Sequence, residues 1–250
     1  MGQNKGFTLV ELSIVIVIIG LIVAGVVGGQ ALVNQAKIRS IITEHNKIKV
    51  GLNAFKLEYN GIPGDFDDAI AFGIGTNNGN GDKNIATYNT EAKYFWEHIS
   101  RAGLFPGSYD GASTSIGVGF PASDYGSNVA LYVSYIKQGG PGSNNIHIGA
   151  ADLFGVVDDI NVLQFSKLAG GTTDVGGAVR PFMQVKDALG MDNKIDDGLA
   201  DSGLMYAAND TTTNNPASRC VDNVISTNGG ASYDLSQQGD TCRILFNITR

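Results

Sequence analysis

The stretch GFTLVELSIVIVIIGLIVAGVVGG, residues 6 to 29, decides the fold of this chain. Glu11 is its only charged residue, and no further formal charge follows until Lys37. A helix rises 1.5 Å per residue, so residues 7 to 29 would cover about 34 Å, enough to cross a hydrocarbon core about 30 Å thick. The segment therefore predicts a helix that spans a membrane.

A secretory signal peptide is the alternative interpretation of this segment. Signal peptides have a charged start, a shorter apolar stretch and a small-residue cleavage site behind that stretch. Here the small residue Gly6 precedes the apolar run, and Glu11 lies inside it, where a charge is costly and usually has a functional partner. A retained span is favoured, and Lys5 in front of it predicts a cytoplasmic leader and an exported C-terminus.

The heptapeptide Gly6-Phe7-Thr8-Leu9-Val10-Glu11-Leu12 resembles the processing site of type IV prepilins and type II secretion pseudopilins. The resemblance covers about the first 30 residues. It implies that prepilin peptidase, an aspartyl peptidase of the membrane, cuts between Gly6 and Phe7 and methylates the new amino group of Phe7. It also implies a single-pass protein of the bacterial inner membrane, which an inner-membrane platform assembles into a surface pilus or a periplasmic pseudopilus.

Glu11 is the candidate assembly residue. After cleavage, the amino group of Phe7 would lie at a helix N-terminus in a medium of low dielectric constant, and the Glu11 carboxylate of a neighbouring subunit would neutralise it. Breaking a buried ion pair typically costs about 3–5 kcal/mol. Two alternatives remain open: Glu11 is protonated, or it pairs with the Phe7 amine of its own chain.

An amphipathic stripe predicts that the helix continues beyond the membrane. Its residues are three and four apart, with only Gly51 interrupting, and Gly61 to Gly64 end it. The stripe comprises Ile38, Ile41, His45, Ile48, Leu52, Phe55 and Tyr59. His45 on this stripe is interpreted as a core histidine. The predicted division is a leader at 1–6, a membrane and filament-core helix at 7–29, its amphipathic continuation at 30–60 and an exported globular head at 61–250.

The head is predicted to be α+β, with an antiparallel sheet, because helices come first and short strands follow. This order also resembles the pilin fold. Asp65 is expected to cap a helix, and further helices are expected at 90–102 and 181–189. The predicted strands cover 129–136, 146–148, 204–208 and 242–248.

Charge divides the chain into a basic stalk and an acidic head. Residues 30–59 carry a net charge of +3, whereas residues 60–250 hold 11 basic and 21 acidic residues. Complementary patches of this kind suit stacking of pilin subunits into a homo- or hetero-polymer. The alternative is that the acidic surface only keeps the protein soluble. General nucleic-acid binding is not expected, because it normally requires a basic patch.

Cys220 and Cys242 are the two cysteines, and both lie near the C-terminus. One disulfide is expected in an oxidising compartment, where closing a loop of this length contributes around 3 kcal/mol. The resemblance implies the same, because many type IVa pilins carry a C-terminal disulfide loop. A metal pair or a redox couple would require closer spacing or additional ligands.

Two loops rich in acidic and amide side chains are candidate calcium sites. Residues 78–85 resemble the opening of a calcium loop, but Lys83 occupies the position of the glycine turn and no glutamate closes the loop. The second loop has more carboxylates, from Asp192, Asp196, Asp197 and Asp201. Runs of Asn, Asp and Gly are most often simply turns, so calcium stays an open expectation.

No catalytic pattern accompanies these features. The sequence contains no G-x-S-x-G or H-E-x-x-H motif, and His45, His98 and His147 are far apart along the chain. The chain is therefore not expected to be an enzyme. Three functions fit: a subunit of a type IV pilus for adhesion, motility or surface attachment; a pseudopilin of a type II secretion system; and a membrane-tethered binding protein.

Overall fold

The computed structural model describes residues 6–86, 90–136, 160–168, 179–209, 219–222 and 231–249. Its first element is the helix α1, Leu9–Tyr59, which is 51 residues long and confirms the predicted single helix. Thr8 caps its N-terminus, and no proline occurs before Pro63. Asn60 adopts the left-handed conformation, φ 52°, and ends the helix, because a residue in that region cannot continue it.

The two halves of α1 differ in what surrounds them. Residues 6–33 are exposed on every side of the helix. Beyond that point the predicted stripe is buried as far as Phe55, at positions that share one face of a helix, and its last member, Tyr59, is half-buried. The buried apolar members are Ile38, Ile41, Ile48, Leu52 and Phe55.

The strands of the head, within the described residues, form one sheet of seven. They are β1 Ala122–Ser123, β2 Gly126–Ile136, β3 Ile160–Leu168, β4 Val179–Arg180, β5 Met183–Gln184, β6 Met205–Ala208 and β7 Asp240–Asn247. Every pairing among them is antiparallel, which confirms the predicted α+β, pilin-like architecture.

The last strand of the chain, β7, lies in the interior of this sheet. It pairs with β3 in a register that sets Leu163 opposite Phe246, and with β6, where Met205 lies opposite the same Phe246. It also pairs with β5, where Met183 lies opposite Cys242. β7 therefore connects three parts of the sheet that are distant in sequence.

Two shorter helices complete the core. The helix α2, Glu91–Arg101, confirms the helix expected at 90–102 and buries Trp96 in contact with the rings of Phe95 and Phe105. The helix α3, Val185–Ile195, packs against β5, β6 and β7. One main cluster joins the stripe of α1, the buried faces of α2 and α3, and the inner face of the sheet.

Gly51 explains the gap in the apolar stripe. A Cβ atom at this position would lie 2.7 Å from the carbonyl oxygen of Leu104, which is closer than real Cβ atoms approach. The glycine thus allows the turn after α2 to lie directly against α1. Its cost in helix propensity, about 1 kcal/mol, is offset by this contact.

Two sequence expectations for the head were wrong, and one lies outside the described residues. Asp65 caps no helix, because residues 63–73 form turns, and its carboxylate accepts hydrogen bonds from the backbone amides of Asp82 and Lys83 instead. The helix expected at 181–189 begins later, at Val185, because residues 183–184 extend to pair with β7. The strand expected at 146–148 lies outside the described part of the chain.

Candidate functional site

The N-terminus of α1 is closed by a reciprocal pair of hydrogen bonds, a capping box. The backbone N–H of Thr8 and its hydroxyl each donate to Oε2 of Glu11, at 2.8 Å, and the backbone N–H of Glu11 donates to Oγ1 of Thr8 at 3.3 Å. These bonds satisfy amides that the first helical turn leaves without intrahelical partners. The geometry therefore holds the Glu11 carboxylate beside the position where cleavage before Phe7 would create an amino group.

The membrane half of α1 offers apolar surface in all directions. Among the described residues, this helix alone is long and apolar enough to cross a membrane, and none of its most apolar window is buried against the rest of the chain. A Cβ atom built on Gly20, Gly25, Gly28 or Gly29 would meet nothing within 4 Å. Apolar surface of this extent must be covered by lipid or by protein, because water disfavours it by about 25 cal/mol per Å².

The head is fixed to the second half of α1 by polar contacts as well as by the stripe. The contact begins at Asn34, whose side-chain amide donates to Asp187 at 2.8 Å, and the ammonium group of Lys37 lies 5.4 Å from the centre of the Tyr125 ring. Glu44 accepts hydrogen bonds from the hydroxyl of Ser123 and the amide of Asp124, at 2.6 and 2.7 Å. Burial raises the pKa of Glu44, although both hydrogen bonds favour its charged form.

His45 is a core residue, as the sequence indicated. Its ring stacks on Phe246 of β7, with the centroids 4.3 Å apart. Burial, with a smaller effect of Lys49, lowers the pKa of His45 to about 4, so the ring is neutral at pH 7. Its position contributes to the attachment of α1 to β7.

The predicted disulfide between Cys220 and Cys242 is present, and both residues are fully buried. Cys242 lies in β7, and the amide of Cys220 donates to Oδ1 of Asn209, just after β6. The bridge therefore ties the chain that follows β6 to the strand in the interior of the sheet.

Three of the four predicted calcium ligands come together at the C-terminal end of α3. One carboxylate oxygen each from Asp192, Asp196 and Asp197 lies within 4.8 Å of the others. Asp201 is not part of this group, and its Oδ1 accepts from the amide of Ala231 at 2.8 Å. The group lies at the C-terminal end of α3, where the helix dipole adds negative potential.

Asp192 is the buried member of this group. Its Oδ2 accepts from the hydroxyl of Tyr233 at 2.7 Å, whereas its buried Oδ1 has no hydrogen-bond partner among the described residues. Burial, and to a smaller extent the charges of Asp196 and Asp197, raises the pKa of Asp192 to about 6. A cation in contact with Oδ1 would reverse this effect and stabilise the ionised form.

The other candidate loop uses its polar oxygens to hold itself together. Oδ1 of Asn80 accepts from the amide of Asp82, and Oδ1 of Asp82 accepts from the amide of Asn84. Glu91 of α2 accepts from the amides of Asn80 and Ala86. This arrangement is typical of a loop stabilised by Asx turns, so residues 78–85 are the weaker of the two calcium candidates.

One comparison with known proteins gave a match. Residues 1–27 match the family described as the prokaryotic N-terminal methylation motif. The chain carries the signature of the type IV pilins and pseudopilins. No curated protein and no solved structure matches it. The pilin signature implies processing by prepilin peptidase and polymerisation, and together with the apolar helix it fits anchoring in the membrane before assembly.

Sequence reasoning missed two features of these sites. Thr8 was not recognised as the partner of Glu11, although the spacing T-x-x-E just before an apolar run is a known sign of a capping box. Tyr233 was not recognised as the partner of Asp192, because the two residues are 41 positions apart and only the fold brings them together.

Proposed function

We propose that this chain is a structural subunit of a type IV pilus-like filament serving adhesion, motility or surface attachment, and not an enzyme. The observation that carries the proposal is the continuity of α1: one unbroken helix is bare from Leu9 to Val33 and is built into the head beyond them. In the membrane, lipid covers the bare half. In a filament, the same half of neighbouring subunits would replace the lipid, while the heads form the outer surface.

The processing and assembly residues follow from this role. Cleavage between Gly6 and Phe7 removes the leader 1–6, and methylated Phe7 becomes the first residue. Glu11 of one subunit then pairs with the Phe7 amine of a neighbour, which fixes the axial offset between the subunits. The capping box supports this assignment, because it keeps the carboxylate at the end of the helix where that amine arises. The Phe7 amine of the same chain is the competing partner.

A shearing experiment on the native organism tests the proposal. Sheared and cell-bound fractions are probed for this chain, and its first residue is identified by mass spectrometry. We expect abundant protein beginning at methylated Phe7 in the sheared fraction. Mature protein held entirely with the cells would instead favour the pseudopilin of a secretion system, and a chain that still begins at Met1 would contradict assembly of either kind.

We further propose that the head binds calcium through Asp192, Asp196 and Asp197. The support is the buried Oδ1 of Asp192, which lacks a hydrogen-bond partner among the described residues, beside two more carboxylates. Carboxylate oxygens are preferred calcium ligands. Asp196 already accepts hydrogen bonds from the amides of Leu204 and Met205, so the ion would join α3 to the start of β6.

Thermal unfolding with and without calcium tests this site. The expected result is a higher Tm in calcium chloride than in chelator for the purified full chain, with a smaller effect below pH 6, where Asp192 takes up a proton. Asp192→Asn is expected to abolish the increase, and Asp110→Asn, at an exposed turn elsewhere in the head, to retain it. Equal Tm values for the wild type in calcium and in chelator at pH 7 would refute the site.

A further inference from the structure

A surface cavity lies at the C-terminal end of α1, between the last turn of the helix and the loops that follow it. Its volume is about 380 Å³, and sites of small molecules usually measure about 300–1,000 Å³. The polar and aromatic side chains in its lining include those of Lys56, Asn60, Phe66, Asp67 and Lys83. The cavity belongs to a single head, so its use does not depend on the proposed filament.

The aromatic wall of the cavity is fixed by contacts within the head. The Phe66 ring packs against the rings of Tyr59 and Phe72, with centroids 5.9 and 5.6 Å apart. Gly61 lets this ring lie close to the backbone that follows α1, because a Cβ atom there would come within 2.5 Å of the ring. The wall is therefore present before any molecule enters, which lowers the entropic cost of binding.

Lys83 enters the lining from an unusual backbone conformation. Its φ is 72°, in the left-handed region that favours glycine, and it stands where a calcium loop has its glycine turn. Its amide donates to Oδ2 of Asp65 at 2.9 Å, and its carbonyl accepts from Nδ2 of Asn161 at 2.9 Å. The backbone is thus held from two sides, and the side chain that a glycine would lack lines the cavity.

The two ammonium groups of the lining have no acidic partner. Among the described residues, no carboxylate oxygen lies within 4.0 Å of Nζ of Lys56 or Lys83. Asp65 does not neutralise them, because its two oxygens accept from the amides of Asp82 and Lys83. Burial, and to a smaller extent the charge of Lys49, lowers the pKa of Lys56. An anion in the cavity would reverse this effect and stabilise the charged lysine.

The rest of the lining distinguishes one anion from another. Asp67 supplies acceptors, Asn60 supplies both a donor and an acceptor, and Phe66 supplies apolar surface. Inorganic phosphate would use the donors alone and would be repelled by Asp67. A sugar acid combines a carboxylate for the lysines, hydroxyls for the acceptors and C–H groups for the ring. We infer that the cavity binds an acidic saccharide, with the sugar carboxylate facing Lys56 and Lys83.

The position of the cavity separates this ligand from the lipids that surround α1. Lys56 lies about 35 Å along the helix from Val33, where the bare half ends. The headgroup layer of a bilayer is only about 5–8 Å thick on each side, so lipid phosphates do not reach the cavity. The head around it is acidic, with 11 basic and 21 acidic residues in 60–250. A bound anion therefore depends on these two lysines and not on the overall charge.

Ligand-observed NMR titration of the purified full chain, in a detergent without a sugar headgroup, tests the cavity. The probes are D-galacturonic and D-glucuronic acid, each compared with its neutral parent, D-galactose or D-glucose. We expect at least one acid to bind, with at least about tenfold higher affinity than its parent, because only the acid meets the lysines with a charge. Absence of binding by both acids, equal affinity of acid and parent, or displacement by equimolar phosphate would overturn the inference.

Variants of the two lysines test where the acid binds. Lys83→Gly removes the ammonium group and relieves the backbone, so it should weaken binding at least about tenfold while the Tm stays the same or rises. Lys56→Gln should weaken binding to a similar extent. Lys186→Gln, at an exposed lysine of α3, is the control and should stay within about twofold of the wild type.

Wild-type affinity in both cavity variants, or an equal loss in Lys186→Gln, would contradict the site. None of these measurements requires a filament, so their failure would leave the proposed function as it stands. Failure of the shearing experiment would likewise leave the cavity untouched.

Discussion

The two halves of α1 have similar backbones and opposite surroundings. Between Leu9 and Val33 no side chain is covered by the rest of the chain. Between Ile38 and Phe55, by contrast, one face of the same helix is sealed by the sheet and by α2. The helix runs through the boundary without a proline or a change of conformation, so the difference lies in the side chains alone.

This difference separates assembly from folding. The first half contributes nothing to the core of the head, and its apolar surface has to be covered from outside the chain. The second half supplies the residues around which the head is built. Substitutions in the first half should therefore change filament formation without changing the stability of the head, and substitutions on the buried stripe should do the opposite.

The largest effect is expected for Glu11→Ala. Loss of an ion pair worth about 3–5 kcal/mol should reduce filament yield at least about tenfold, while the chain is still cleaved and retained in the membrane. Yield is measured by quantifying the chain in the sheared fraction, and cleavage by mass spectrometry. Glu58→Ala, an exposed acid at the other end of α1, is the control and should assemble normally. Unchanged yield in Glu11→Ala would refute the ion pair.

Two alanine substitutions at positions two residues apart test the second half of α1. Ile48 is fully buried, so Ile48→Ala should lower the free energy of unfolding of the head by about 2–5 kcal/mol. Val50 is exposed, so Val50→Ala should change it by no more than about 0.5 kcal/mol. Urea unfolding of the full chain in detergent, followed by the fluorescence of Trp96, measures both. Equal losses would mean that the head does not pack on this stripe.

A smaller effect on the free energy of unfolding is expected from protonation of His45 at acidic pH. The pKa of His45 is about 4 in the folded chain, below its usual value of 6.5. Between these two pH values the unfolded chain binds a proton at His45 and the folded chain does not. This group therefore contributes its full stabilisation above pH 6.5 and loses it as the pH falls towards 4. At pH 5 the loss is about 2 kcal/mol, from 1.36 kcal/mol per pKa unit.

The comparison of wild type with His45→Phe isolates that loss. Phenylalanine keeps an aromatic ring against Phe246 and cannot take up a proton. Urea unfolding at pH 7 and pH 5 should show a larger fall for the wild type than for the variant, since every other titrating group, including His98, is common to both. The same fall in both chains would show that His45 is accessible to protons in the folded state.

Two helices, α1 and α2, followed from the sequence because their signals are local, whereas α3 begins at Val185 and not at residue 181 as expected. Charge-free length predicts the membrane half of α1, a stripe of period 3.6 predicts the second half, and Thr90 to Ala102 shows the same pattern on a shorter scale. β3 was not predicted, although it is bordered by β2 and β7. Both faces of β3 are buried, and its polar residues Gln164 and Ser166 lie inside the protein, where they form a hydrogen bond with each other. The strand therefore lacks the regular alternation of polar and apolar residues by which a half-exposed strand is recognised.

The candidate sites were predictable to different degrees, because some consist of residues close in sequence and others are formed only by the fold. The methylation motif contains a continuous heptapeptide, and the three aspartates at the C-terminal end of α3 are close in sequence, so both are visible without a fold. The contact of Asp192 with Tyr233 is not, because the two residues are 41 positions apart and only the fold brings them together. Asp201 was predicted as a calcium ligand because it is close in sequence to the other three aspartates. In the fold, its carboxylate instead accepts a hydrogen bond from the amide of Ala231.

The interior position of β7 sets an order of events in the life of the chain. It spans Asp240–Asn247, so it is synthesised after every other strand that the structure describes, and it carries both Cys242 and the Phe246 that stacks on His45. The sheet cannot close before β7 has been synthesised, because β3, β5 and β6 lack their common neighbour until then. Helix α1 precedes every strand along the chain, and its stripe remains uncovered until this sheet has formed. A chain truncated before Asp240 would consequently keep the apolar helix and lose the folded head.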